Sequence, residues 1–178
     1  MSKKTIQLLD LLRAKYPYPD GAFIPEFRGG TGWSVESRAD AIAMHLWPSK
    51  GLELIGFELK TSRADWLREL KQPNKADPIK QFCDRWYLVT SEEYNIARRE
   101  EVPEDWGYMS LRYFGKIETI KEAPKLTPKP IDRYFLASLM RLASNPFNEV
   151  IIEGRKYIAE KPPKEIKEVV EKTNKETE

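Results

Sequence analysis

Residues 39–60 read ADAIAMHLWPSKGLELIGFELK, two apolar, strand-like stretches on either side of Pro48-Ser49-Lys50-Gly51. That pattern predicts a β-hairpin. Because side chains alternate along a strand, a slip of one residue would carry Asp40 and Glu58 to opposite faces, so a shared site depends on the register. The register that fits places Asp40 opposite Glu58, Ile42 opposite Gly56, Met44 opposite Leu54 and Leu46 opposite Leu52, with 47–51 as the loop. Directly opposed side chains in such a pair lie about 4.5–5.5 Å apart at Cβ, close enough for two carboxylates to share one cation. An exposed edge hairpin would turn the same charges into a surface ion pair of little energetic value. The Ala, Ile, Met, Leu and Phe residues on both faces point instead to a central strand pair.

The other elements can be read around this hairpin. KTIQLLDLLRAK (4–15) has helical apolar spacing and stops at YPYPDG. AFIPEF is a short extended piece leading into a flexible glycine-rich loop, GGTG at 29–32, which lacks the Gly-Lys-Ser/Thr ending of a nucleotide P-loop. Ser62 and Asp65 have capping-box spacing, and Trp66, Leu67 and Leu70 give the following helix an apolar face to about Lys71, with Pro73 ending it. A short helix over 76–84 leads to the strand RWYLVT. GYMSLRYF and KIETI follow as strands meeting at Gly115, and 131–143 is a strongly apolar helix. From about 160 the Lys/Glu-rich tail is expected to fray. The order predicts an α/β domain over 1–150, a central mixed β-sheet flanked by helices, with 151–178 as a tail. A length of 178 residues suits one such domain.

Composition narrows the chemistry. A single cysteine, Cys83, excludes an internal disulfide, and with a single histidine, His45, the usual Cys/His zinc site cannot be assembled. Any metal is therefore held by oxygen. Cys83 reads as a buried thiol, His45 as a structural residue on the face opposite Asp40, and Trp66 and Trp86 as core. Trp33 beside the glycine loop is a candidate for stacking on a base. Glu-x-Lys occurs three times, at 58–60, 69–71 and 165–167. Residues two apart share a face only on a strand, so only Glu58 and Lys60 converge. Two carboxylates on adjacent strands repel unless a cation lies between them, and without imidazole or thiolate the pair suits a hard ion such as Mg²⁺. Lys60, on the same face, then serves the attacking water or the charge on a phosphate.

Arg38-Ala39-Asp40-Ala41, followed by Gly56-Phe57-Glu58-Leu59-Lys60 and a helix, resembles the core of the PD-(D/E)XK nuclease superfamily. The longer string through LKQPNKA, with CDRWYLVT beyond it, is similar to small uncharacterised phage and bacterial members. The resemblance spans about residues 22–122. It implies a restriction-endonuclease-like core, Asp40 and Glu58 as ligands of Mg²⁺ or Mn²⁺, the backbone carbonyl of Leu59 as a further ligand, and Lys60 as catalytic. Ala39 stands where the motif has proline. Members often add an upstream acid, for which Glu26 is chosen over Asp10 and Glu36 because it precedes the hairpin on an extended segment and is followed by Arg28.

The expected function is Mg²⁺-dependent hydrolysis of DNA phosphodiesters, structure-selective or weakly sequence-specific since no separate DNA-binding module is evident. The alternative is a nucleic-acid-binding or inhibitory protein that has the fold without cutting. Residues 60–85 carry seven basic and four acidic side chains. Arg63, Arg68, Lys71, Lys75 and Lys80 fit either a solvated helix face or contacts to DNA phosphates. With Arg28 and Arg38, the residues Arg63, Lys75 and Lys80 are the candidates for contacting DNA. Asp10 and Arg13 interrupt the first apolar run too early for a signal peptide, and no stretch is long enough to span a membrane. A cytoplasmic protein is expected, with monomer and homodimer both open.

Overall fold

A computed structural model of the chain describes residues 1–29, 38–72, 74–92, 95–112, 115–143, 150–152 and 155–157. The expectations for the glycine loop beyond Gly29, Trp33, Glu36, Pro73 and the tail from about 160 lie outside these residues.

Met1–Ala143 forms one compact unit. It opens with helix α1, Lys3–Arg13, whose first turn is capped by the Ser2 side chain accepting from the Thr5 N–H at 3.1 Å. Three strands follow: β1 (Gly21–Arg28), β2 (Arg38–His45) and β3 (Leu54–Lys60), each antiparallel to the next. Helices α2 (Arg63–Leu70) and α3 (Asp77–Lys80) then carry the chain across to β4 (Arg85–Thr90), which runs parallel to β3. β5 (Gly107–Leu111) is parallel to β4, and β6 (Ile117–Lys121) closes the edge antiparallel to β5. Helix α4, Arg133–Ala143, ends the unit. The sheet order is β1-β2-β3-β4-β5-β6, a mixed sheet with flanking helices, as the sequence predicts.

The hairpin register is the expected one: Ile42 lies opposite Gly56 and Met44 opposite Leu54. Its turn differs. The Leu46 N–H donates to the Asp20 carbonyl at 3.0 Å, and Leu52 sits at φ 53°, so these two residues do not pair. The connection therefore extends outward to the His45 N–H, which donates to the Glu53 carbonyl at 3.3 Å. AFIPEF is also more than an extended piece, because β1 pairs with β2 along most of its length. The short helix expected over 76–84 is cut back to α3, and α4 starts at Arg133, where Asp132 accepts from the Phe135 N–H at 2.7 Å.

Apolar residues fill both faces of the sheet. One face gathers Ile42, Trp66, Ile79, Trp86, Leu88 and Phe135, and the other Leu8, Leu9, Leu12, Phe57, Tyr87 and Val89. Thus α2, α3 and α4 cover the first face and α1 covers the second. Every residue of β3 is buried, which makes it the central strand the sequence called for. Trp66 and Trp86 are core residues, Cys83 is a buried thiol pushed up to about 12 by its burial, and His45 packs against Tyr16 on the α1 side.

Ser144–Glu178 forms the second unit, dividing from the first at the end of α4 rather than after residue 150. Within it, β7 (Val150–Ile152) and β8 (Arg155–Tyr157) pair antiparallel, so the segment assigned to the tail begins with strand. Among the described residues, no helix is long and apolar enough to cross a membrane.

Candidate active site

The β2–β3 ladder ends at Ala41 and Phe57. One pair further on, the Leu59 N–H donates to Asp40 Oδ2 at 2.7 Å, so a side-chain carboxylate fills the place of a main-chain partner. Ala39, which the register would set opposite Leu59, is paired with Phe27 of β1. In an antiparallel ladder a residue sends its N–H and its C=O to the same neighbour. The Leu59 carbonyl therefore faces the gap that Asp40 occupies, and Glu58 lies in register opposite Asp40.

Glu58 and Lys60 point to the α2 side of the sheet and are only 5% and 8% exposed. The Lys60 ammonium donates to Glu58 Oε1 and lies 2.8 Å from Glu69 Oε2. Lys75 reaches the same Glu69 oxygen at 2.8 Å and stands 3.6 Å from Glu58 Oε1. Two carboxylates and two ammonium groups thus meet where β3 leaves the sheet.

The titration of these groups follows from burial and charge. Burial first, and then the neighbouring Asp40 charge, push Glu58 up to about 7 against the pull of Lys60. Burial also raises Asp40, opposed by the Leu59 amide. Burial alone would raise Glu69, but hydrogen bonds from Lys60 and Lys75 hold it below the usual carboxylate range. Lys60 is drawn down by burial and more than restored by Glu58 and Glu69, so it stays a cation. A buried charge cluster is weak evidence for stability, whereas perturbed carboxylates in a cleft mark a candidate functional site.

A cleft of about 300 Å³ opens over the cluster, bounded by β3, by Thr5 of α1 and by α2. The α2 contribution is Asp65, Arg68 and Glu69, which fall at i, i+3 and i+4 and so share one helix face, with Gln72 just beyond the helix end. The sequence reading missed Glu69 as a member of the site. The polar stripe at helical spacing, directly after Glu-x-Lys, was the signal available for finding it.

The remaining candidates are dispersed. Glu26 falls beside Asp40 by register but is exposed, at φ 49°, and does not line the cleft. Arg28 and Arg38 are exposed and face each other at the end of the β1–β2 ladder. Arg63 makes a two-pronged ion pair with Glu101, Nη2 to Oε1 at 2.6 Å, and donates to the Ile96 carbonyl, fastening α2 to the segment after β4. Lys80 is engaged by Asp105 at 2.7 Å and by Asp77 at 3.0 Å. Of the five basic candidates, Lys75 alone lines the cleft.

Asp40, Glu58 and the Leu59 carbonyl form an all-oxygen donor set whose chemistry fits a hard divalent cation completed by water. Among the described residues, no three His, Cys, Asp or Glu side chains are grouped to hold a metal by themselves.

No protein-family model matches the chain, and no curated protein matches it significantly. The fold does recur among solved structures. The SPO1766 protein of unknown function from Silicibacter pomeroyi superposes with a TM-score of 0.52 at 22% identity, over 78% of this chain and 80% of that one.

Proposed function

We propose that the protein is a Mg²⁺- or Mn²⁺-dependent nuclease that hydrolyses DNA phosphodiester bonds, with a restriction-endonuclease-like core of the PD-(D/E)XK type. The observation that carries this reading is the Asp40 carboxylate seated on the Leu59 amide. Asp40, Glu58, Leu59 and Lys60 line one cleft, and the Leu59 carbonyl would join the two carboxylates as a ligand.

A bound divalent cation would supply positive charge to the phosphate and acidify an attacking water. Asp40, Glu58 and the Leu59 carbonyl would hold it. Lys60, kept cationic by its carboxylate neighbours, orients the water and offers N–H bonds to the phosphate oxygens as charge develops. Water adds to phosphorus, the bond to the leaving oxygen breaks, and that oxygen takes up a proton. Lys75 and Arg68, which line the cleft, would be its contacts to flanking phosphates.

The test is cleavage of labelled single-stranded, duplex, flap and junction DNAs with Mg²⁺, Mn²⁺ or EDTA, comparing the wild type with Glu58→Ala. Cutting that requires the cation and vanishes in the variant is the expected outcome. A second reading, DNA binding without cutting, is favoured by the ion pairing that already neutralises Glu58. Absence of cutting with intact binding would select it.

Cation binding should also depend on pH. Glu58 takes up a proton as the pH falls through about 7, and the cation must displace it. Apparent Mn²⁺ affinity should weaken about tenfold per pH unit below 7 and level off above it, whereas a flat profile across that range would remove Glu58 from the ligand set. The same shift has a defined sign for the metal-free fold. The folded chain keeps a proton that the unfolded chain releases above 4.5, so this group's contribution to stability falls as the pH rises through about 7.

A further inference from the structure

We propose that Glu69 is a positioning residue that holds the Lys60 ammonium in place when a divalent cation takes over the charge of Glu58. The inference rests on the metal-site reading above and assigns a role to a carboxylate outside the ligand set.

Lys60 stands between two carboxylates. Glu58 lies two residues before it on β3, and Glu69 Oε2 approaches from α2 at 2.8 Å. A cation shared by Asp40 and Glu58 would draw on the oxygen that Lys60 now holds and would repel the ammonium. Lys60 keeps its place only if a second anion retains it, and Glu69 is the carboxylate at hydrogen-bond distance on the other side.

The helix that carries Glu69 is fixed relative to β3. Ser62, two residues beyond Lys60, caps α2 by accepting from the Asp65 N–H at 3.2 Å. Trp66 is fully buried, and its indole N–H donates to Glu101 Oε2 at 3.2 Å. Arg63 binds the same Glu101. These contacts make Glu69 a rigid anchor.

Burial separates Glu69 from its helix neighbours. It is 8% exposed, whereas the side chains of Asp65 and Arg68 are 47% and 72% exposed. A carboxylate at a buried helix position costs stability that an apolar residue there would not. Its placement is explained by what it holds.

The experiment measures Mn²⁺ affinity by electron paramagnetic resonance, and kcat and KM on the best-cut DNA, for wild type, Glu69→Gln, Lys60→Met and the double variant. Each protein is first shown to be folded by its thermal melt. Glu69→Gln should weaken Mn²⁺ binding about tenfold and lower kcat about 10- to 100-fold, with KM changed less, because Lys60 then competes with the cation for Glu58. In the Lys60→Met background the same change should move Mn²⁺ affinity clearly less than it does in the wild type, since Glu69 then holds only Lys75, which stands farther from Glu58, at 3.6 Å.

Equal effects in both backgrounds, or wild-type affinity and kcat in Glu69→Gln, would overturn the inference and leave the metal site standing. Failure of the wild type to bind Mn²⁺, or binding indifferent to Glu58→Ala, would overturn the site reading itself. If Glu69→Gln does not fold, Glu69→Asp keeps the charge but withdraws it by one methylene, and intermediate values are expected. Wild-type values there would show that charge without placement suffices, against the proposal.

Discussion

Lys60→Met should lower metal-dependent DNA cleavage by about 10²- to 10³-fold, the range associated with losing one preorganised charge-stabilising donor. The same substitution should cost about 3–5 kcal/mol of stability, because it leaves Glu58 and Glu69 buried with one cation fewer. The two effects have different origins and can be separated. Without Lys60, burial and Asp40 act on Glu58 with less opposition, so its carboxyl binds a proton more readily. The loss of stability should therefore be largest above pH 7 and shrink as the pH falls and the carboxyls take up protons. Adding Glu58→Gln removes the stranded charge while keeping its shape, and should restore most of the stability but none of the cleavage. Thermal melts across pH and single-turnover cleavage of the three proteins test this. Near-normal cleavage by Lys60→Met would exclude Lys60 from catalysis. Failure of the double variant to regain stability would mean that Lys60 supports the fold by packing rather than by charge.

The features that the sequence revealed and those it hid differ in the range of the interactions that set them. The β2–β3 register was legible because the two carboxylates, Asp40 and Glu58, come directly opposite each other in only one pairing. α2 was legible because its cap, Ser62, and its buried anchor, Trp66, are local to it. The turn was not legible, since the Leu46 N–H donates to the Asp20 carbonyl, in a segment that the hairpin pattern does not include. The partners of the basic residues after the motif were hidden for the same reason. A count of charges contains no information about Glu101 and Asp105, which arrive from beyond β4 to engage Arg63 and Lys80.

Glu69 shows the limit most clearly. Setting aside Glu69-Leu70-Lys71 as a helical copy of the motif was sound for that pair, because the two side chains diverge on the helix. It overlooked that Glu69 faces Lys60 across the β3–α2 junction. The α/β architecture was therefore readable from local pattern, whereas membership of the site depended on which helix face turns toward the strand.

Gly56→Ala should destabilise the fold by about 3 kcal/mol or more, the upper range for forcing extra volume into a packed core. A Cβ at position 56 would come within 2.2 Å of Cε3 and Cζ3 of Trp86 and 3.2 Å of Cys83 Sγ. The indole has little room to retreat. Trp86 is fully buried and meets Trp106 edge-on at 5.9 Å between ring centroids. The β3–β4 register also sets Trp86 directly beside Gly56, two residues before Glu58 on the same face of the strand. Glycine is thus required here by the close approach of a neighbour's ring and not by an unusual backbone angle. A drop of about 10 °C in melting temperature is expected. Trp86→Leu in the Gly56→Ala background should recover part of the loss that either change causes alone, because the two substitutions relieve one shared clash and must be non-additive. A melting temperature for Gly56→Ala within about 1 °C of wild type would show that β3 and β4 separate without cost, and the rigid placement of Glu58 and Lys60 that the proposed chemistry needs would lose its support.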